Sequence, residues 1–315
     1  MKNFSKLIKL TLIVVTSTIM FSCSEDDSTT PNNSIAGIAS RTNDLSILVQ
    51  ALERTNLVQT LDQSGTYTVF APTNAAFSQF LMDNGFSNLS DVPTATLKEI
   101  LLNHVINSVN YSTDLSTGYV KTLGKGSASA SNTLSMYVNL GSGITVNGIS
   151  VRLNGVSSVT SANIEATNGV IHVVNAVIGL PTVVTHASAN SNFSTLVSLL
   201  STQGLVSTLD GTENSPFTVF APLNSAFDTA TLNLYNGLTS NEKSNVLKYH
   251  VVTPANVLSN SIPTTPITTF ETGTFTISGT VITDEQDRQT NIVLTDVQCA
   301  NGIIHAVNKV LLPAL

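Results

Sequence analysis

The chain has 315 residues, enough for two domains of ordinary size. Hydrophobic residues make up 42% and charged residues only 10%, which excludes a disordered chain, whose signature is low hydrophobicity with high charge. The formal net charge of −7 and the absence of Trp and of any basic run exclude a charge-driven grip on nucleic acid or anionic lipid.

The first elements form an export leader over residues 1–22. MKNFSKLIKL is basic, residues 10–21 are apolar but short for a membrane span, and Ser22-Cys23 follows. The stretch Met20-Phe21-Ser22-Cys23 resembles a bacterial lipoprotein cleavage box. That resemblance implies a lipidated Cys23 as the first mature residue, the alternative being ordinary cleavage nearby that leaves a free thiol. Several acyl chains would then hold the protein on a membrane durably. Residues 23–33 are polar, acidic and turn-rich, so a flexible tether is expected. Glu25-Asp26-Asp27 resembles the tag that sends some lipoproteins to the outer face of the outer membrane, so an exported, surface-exposed protein is expected.

Beyond the tether the chain spells itself twice. TVFAPTNAAF at 68–77 returns as TVFAPLNSAF at 218–227. Residues 44–62 match 193–210, LLNHVI at 101–106 matches LKYHVV at 247–252, and NGVIHVVNAVIGLP at 168–181 matches NGIIHAVNKVLLP at 301–313. The blocks keep their order, which predicts two domains, 34–181 and 182–315, and excludes a solenoid of shorter units. In each copy, helical spacing at Leu45, Leu48, Val49 and Leu52, and at Leu196, Leu199 and Leu200, predicts a helix with one apolar face. The β-formers Tyr67 to Phe70 predict a short buried strand stopped at Ala71-Pro72. Thr73 or Asn74 then caps a helix that turns Phe77, Phe80 and Leu81 inward. A second helix is expected over Thr96 to Ile106, carrying His104 on its apolar stripe, and its counterpart opens on the capping box Thr239-x-x-Glu242. Residues 133–154 and 274–296 read as hairpins, and Asn168-Gly169 and Asn301-Gly302 as tight turns into closing strands.

Chemistry is sparse. Four of the five histidines form equivalent pairs, His104 with His250 and His172 with His305, and none has a zinc-like neighbour at helical spacing. Structural imidazoles are expected. Besides Cys23 the mature chain holds only Cys299, in an apolar run, so a buried inert thiol and no internal disulfide are expected. GKGS at 124–127 lacks the spacing of a phosphate loop. TDEQDRQTN at 283–291 lacks the oxygen spacing of a calcium loop and reads as a solvated hairpin turn. No metal, cofactor or catalytic residue is expected.

The two corner phrases, the helix ending in a Tyr-His-like pair and the closing NGVIHVVNAVIGLP resemble the fasciclin-type domain. The resemblance covers both halves. It implies an α+β fold, each domain a wedge built of a curved sheet or irregular barrel packed with helices. It also implies adhesion to a cell-surface or matrix protein rather than catalysis. The family's contact sites, an Asp-Ile-like pair and the Tyr-His pair, map to Asn163-Ile164 and Asn103-His104 in the first copy. In the second they map to Asp296-Val297 and Tyr249-His250. The first copy departs at Asn163 and Asn103, so the second is the expected binder. An alternative is capture of a polysaccharide for nutrient uptake, with Tyr67, Tyr111, Tyr119 and Tyr137 as the rings available for stacking. The low aromatic content, 6%, weighs against it.

Overall fold

The computed structural model describes residues 31–315 apart from 147 and 148. The leader, Cys23 and the tether up to residue 30 lie outside the described residues. Domain one opens with three short helices, α1 (Ile35–Arg41), α2 (Ser46–Arg54) and α3 (Val58–Asp62). Strand β1 (Tyr67–Pro72), helices α4 (Asn74–Asp83) and α5 (Thr94–Leu102), and strand β2 (Val105–Ile106) follow. The domain closes with β3 (Gly118–Lys125), β4 (Thr133–Val146), β5 (Ile149–Leu153), β6 (Ser157–Ala166) and β7 (Gly169–Val174).

Domain two repeats the plan. Helices α6 (Val183–Ala189), α7 (Ser194–Thr202) and α8 (Val206–Asp210) lead to β8 (Phe217–Pro222). Helices α9 (Thr229–Gly237) and α10 (Ser240–Tyr249) precede β9 (Val251–Val252). The chain ends through β10 (Ile267–Thr268), β11 (Thr274–Ser278), β12 (Val281–Thr283), β13 (Gln289–Cys299) and β14 (Gly302–Val307).

Each domain is one seven-stranded sheet, ordered β2-β1-β7-β6-β5-β4-β3 in the first and β9-β8-β14-β13-β12-β11-β10 in the second. The corner strand pairs in parallel with the closing strand, β1 with β7 and β8 with β14, and the other neighbours are antiparallel. In domain one β2 comes against β3, so the sheet curls nearly into a barrel. Successive side chains of the corner strand face opposite cores. Val69 and Ala71 join the helix-side core with Leu48, Leu97 and Ile171, and Phe70 enters the barrel core with Met136, Val138 and Val174. In domain two Val219 and Ala221 face the helices, and Phe220 faces the barrel with Phe275 and Ile282. The unbroken apolar run in each phrase is therefore a strand buried on both faces.

Several elements differ from expectation. The helix expected over 96–106 ends at Leu102, and Val105–Ile106 is a strand paired with β1, so Asn103 and His104 form the helix-to-strand corner. In the second copy the corner phrase opens a 3-10 turn, Asn224–Ala226, and the α-helix waits for the cap at Asp228. Residues 274–296 form a three-stranded meander rather than a hairpin. The expected tether to residue 33 is too long, because Asn32 donates to Asp62 at 2.7 Å and Asn33 accepts from Arg41 at 3.0 Å.

Candidate functional site

Each domain carries one corner where the loop after its last helix and the short strand β2 or β9 is strapped to the sheet. In domain one, Thr68 Oγ1 donates to Ser108 O at 2.6 Å and accepts from Asn110 N at 2.8 Å. In domain two, Thr218 Oγ1 donates to Ala255 O at 2.8 Å and accepts from Val257 N at 2.9 Å. The Thr of the repeated phrase thus holds the loop. A histidine of the closing strand holds it again. His172 Nε2 donates to Asn110 O, and His305 Nε2 to Val257 O, each at 2.9 Å. Those bonds leave Nδ1 to accept from Asn163 N at 3.3 Å and from Asp296 N at 3.4 Å. Each ring stacks on the phrase's phenylalanine, Phe70 or Phe220, with centroids 5.5 and 5.4 Å apart. Burial lowers the pKa of both imidazoles, so they are neutral fasteners.

Asn163 and Asp296 occupy the same position, a bulge in β6 and β13 where both have φ of 62°. Asn and Asp tolerate this left-handed conformation better than other side chains, which explains why one stands for the other. Asn163 Oδ1 accepts from Ser112 N at 2.8 Å, and Asp296 Oδ1 from Ser259 N at 2.9 Å. Both residues are half-buried, as is Ile164, and their outer faces reach solvent. Among the described residues, most of the large apolar side chains that the sheets and straps leave exposed sit on neighbouring segments. These are Val109 and Tyr111 at 37% and 36% in domain one, and Val293 and Leu294 at 52% and 38% in domain two. At Asp296 an open cleft of about 380 Å³ is also lined by Lys121, Asn132 and Thr133 of domain one. Lys121 Nζ donates to Asp296 O at 3.0 Å, and partial burial lowers its pKa.

The other expected contact residues are interior. Tyr249 is fully buried, and its hydroxyl donates to Thr274 O at 2.6 Å and accepts from Glu285 N at 3.1 Å. Asn103 is buried, with its amide on Gly179 O at 2.9 Å. His104 and His250 are buried, each with Nδ1 on the carbonyl four residues earlier at 2.8 Å. Their Nε2 atoms accept from Ile178 N at 2.8 Å and Leu311 N at 2.9 Å. Burial pushes both pKa values down to about 4. Val297 lies in the helix-side core. These five side chains cannot touch a partner directly, because each is enclosed and each polar one is already bonded. Asn103, His104 and His250 tie the helix end to the last segment of the domain, and Tyr249 ties it to β11 and the β12–β13 turn. Of the eight candidate contact residues, the structure brings only Asn163, Ile164 and Asp296 to the surface.

Cys299 is a buried free thiol among the described residues, and desolvation raises its pKa well above the usual range. Among the described residues no cluster of three His, Cys, Asp or Glu side chains is placed to hold a metal. Tyr137 is buried and Tyr119 packs on it at 4.9 Å, so neither offers a free ring to a sugar. The 283–291 turn is not simply solvated, since Asp284 is buried.

The model of the Fasciclin domain matches residues 43–181 and again 191–313. The chain belongs to the fasciclin domain family. Protein sll1483 of Synechocystis is 31% identical over 168 residues, spanning 51% of this chain and 90% of that protein. Transforming growth factor-beta-induced protein ig-h3 of Sus scrofa is 26% identical over 274 residues, 80% of this chain and 35% of that one. Human periostin is 27% identical over 193 residues, 61% of this chain and 21% of that one. This chain thus spans about a third or less of the two animal proteins. The solved FAS1 domain pair of the insect cell adhesion molecule fasciclin I aligns with a TM-score of 0.51 at 18% identity. That alignment covers 85% of this fasciclin-domain chain and 97% of the insect pair, and it establishes the shared fold. Among the described residues no helix is long and apolar enough to cross a membrane.

What sequence reasoning missed is the work done by four asparagines. Asn168 Oδ1 accepts from Ile35 N at 2.9 Å, the first amide of α1, and Asn301 Oδ1 from Val183 N at 2.9 Å, the first amide of α6. Asn74 and Asn224 do the same for α2 and α7, accepting from Ile47 N and Thr195 N at 2.9 Å. All four are caps supplied from distant turns and helix starts to helix ends that need them. Their double occurrence at matched positions is the one signal that could have exposed them.

Proposed function

We propose that this fasciclin-domain protein is a non-enzymatic adhesion lipoprotein, held by acylated Cys23 at the outer face of a bacterial outer membrane. It grips a cell-surface or matrix protein through the strapped corner of domain two. The observation that carries the reading is the coincidence, in both domains, of a solvent-reaching bulge residue and a loop fastened three ways with exposed apolar side chains, carried by the loop itself in domain one and by β13 in domain two. Rigid loops that display apolar groups mark binding surfaces. The histidines are spent on holding those loops, which argues against an acid–base role for them. The naming of the insect domain pair as a cell adhesion molecule points the same way. The corner of domain two carries a carboxylate and the more exposed apolar pair, which favours it over the neutral corner at Asn163.

The test is attachment of bacteria displaying the protein to a host-cell or matrix-coated surface. The double variant Val293→Ser/Leu294→Ser and the single variant Asp296→Asn should each reduce attachment several-fold. Asp296→Asn copies the residue that domain one already folds with, so its display level should not change. Attachment equal to the parent protein in both variants would sink the assignment.

A further inference from the structure

A cleft of about 630 Å³ opens in domain one between α4, the β5–β6 turn and the segment 176–181 that joins the domains. Phe80, Phe86 and Val177 give it apolar walls, and Gln79, Asp83 and Asn154 give it polar ones. The joining segment lines this space and carries unspent backbone groups. Among the described residues no hydrogen bond reaches the amide of Gly179 or the carbonyls of Val177 and Leu180. A Cβ placed on Gly179 would meet no heavy atom within 4 Å. Asn154 is itself buried, and its Nδ2 has no acceptor.

The second copy shows what such a segment binds when its cleft is filled. Ile178 N and Leu311 N make the same bond to His104 and His250, so Val177 corresponds to Val310, Gly179 to Leu312 and Leu180 to Pro313. In domain two Leu312 N donates to the Asp284 carboxylate at 3.0 Å. Arg288 donates to Val310 O, and Gln286 Nε2 donates to Pro313 O at 3.0 Å. Arg288 Nε lies 3.7 Å from Asp284, so the two charges enter as a pair. The occupant is therefore the protein's own β12–β13 turn, residues 284–288. Domain one has only residues 154–156 at the equivalent turn, with the register fixed by matching bonds from Ser158 N to Asn175 and from Asn291 N to Asn308, both 2.8 Å. The shorter turn carries no charge and leaves the cleft open.

We propose that the domain-one cleft is a docking site for an acidic peptide turn of a partner protein, one that presents a carboxylate to Gly179 N–H and a guanidinium or amide to the carbonyls of Val177 and Leu180. Asp83 on the wall complements the guanidinium. A purely apolar occupant would leave that row of backbone groups without partners, which costs more than its burial returns. The cleft's volume lies in the range of sites for compact ligands. The proposal does not depend on the adhesion corner, which lies on other strands.

The experiment uses a fluorescent, disulfide-cyclised peptide of the chain's own sequence 283–289 as the probe, titrated with the full-length protein and read by anisotropy. Saturable binding is expected, weakened at least tenfold when the peptide's aspartate equivalent to Asp284 is replaced by alanine. Gly179→Leu, which fills the cleft, and Val156→Asp, which sets a like charge at its exposed rim, should each weaken binding at least tenfold with the unfolding midpoint of Val156→Asp unchanged. Three results would overturn the proposal: no saturable binding, equal binding of a scrambled peptide, or a digalacturonate competitor that displaces the probe more effectively than unlabelled peptide.

Discussion

At the scale of single residues, the polar side chains buried in both domains act as fasteners whose loss should cost more than their size suggests. Asn301 serves three backbone groups at once, accepting from Val183 N and donating to Leu209 O at 2.8 Å and Gly211 O at 3.1 Å. Its replacement by alanine leaves those groups enclosed without partners, and each unsatisfied group costs about 1–3 kcal/mol. Asn301→Ala should therefore lower stability by roughly 3 kcal/mol in urea unfolding, beyond the range of ordinary surface changes. The equivalent Asn168→Ala should behave alike, because Asn168 donates to Leu61 O and Gln63 O at 2.8 Å. A loss below about 0.5 kcal/mol would show that water replaces the amide freely. Both asparagines read as the first half of an Asn-Gly turn in sequence, and local reading cannot reveal that the side chain reaches a helix more than a hundred positions away.

At the scale of elements, the parallel pairing of corner strand and closing strand is what the repeated phrases encode. The phrases were legible because a strand buried on both faces must be continuously apolar, and because Pro72 and Thr73 then end it and start a helix, Thr73 Oγ1 accepting from Ala76 N at 3.1 Å. The parallel partner was not legible, since residues 67–72 and 169–174 meet only after the whole sheet has formed. The same distance hid the burial of Tyr249 and Asn103, whereas the structural role expected of His104 and His250 agrees with their enclosure. Helical periodicity carries His104 on an apolar stripe, but the chain leaves the helix at Leu102 to feed β2. Gly169 is the tightest point of the pairing. A Cβ there would stand 2.0 Å from Tyr67 O, and at Gly302 2.2 Å from Phe217 O. The obstacle is backbone, which cannot rotate aside. Gly169→Ala should therefore force β7 away from β1 and destabilise domain one by about 3 kcal/mol or more. Differential amide exchange would check it, with lost protection confined to β1, β7 and the helices above them.

At the scale of the molecule, the two domains meet along a polar seam that also titrates. Gln298 N donates to Ser135 Oγ at 3.1 Å, Ala128 N to Ala300 O at 2.9 Å, and Tyr137 Oη to Asn190 at 3.3 Å. Gly126 lies against Ala300, where a Cβ would stand 2.3 Å from its Cα. Beneath this seam His186 is fully enclosed, edge-on to Tyr119 at 5.3 Å, with neither ring nitrogen hydrogen-bonded. The carbonyls of Ser135 and Gln298, short of full hydrogen-bond geometry, act to raise its pKa. Desolvation dominates and, with Lys121 nearby, pushes it down to about 3. His104 and His250 are likewise held near 4. All three pKa values are lower folded than the ordinary 6.5, so the unfolded chain takes up protons first as pH falls. The stability these histidines lend the neutral-pH protein is therefore complete above about pH 6.5 and declines between 6.5 and about 4, by about 1.4 kcal/mol per pH unit for each. Carboxylates such as Asp62 and Glu242, whose pKa values hydrogen bonding lowers, act only further down the scale. The urea midpoint should hold from pH 8 to 7 and fall steeply by pH 5. His186→Phe keeps an aromatic ring and removes the titration without breaking a hydrogen bond, so it should leave stability at pH 7.5 equal or higher and reduce the acid slope by about 1.4 kcal/mol per pH unit, the slope shared with the other four buried histidines. An unchanged slope in that variant would place the acid sensitivity elsewhere than in the seam.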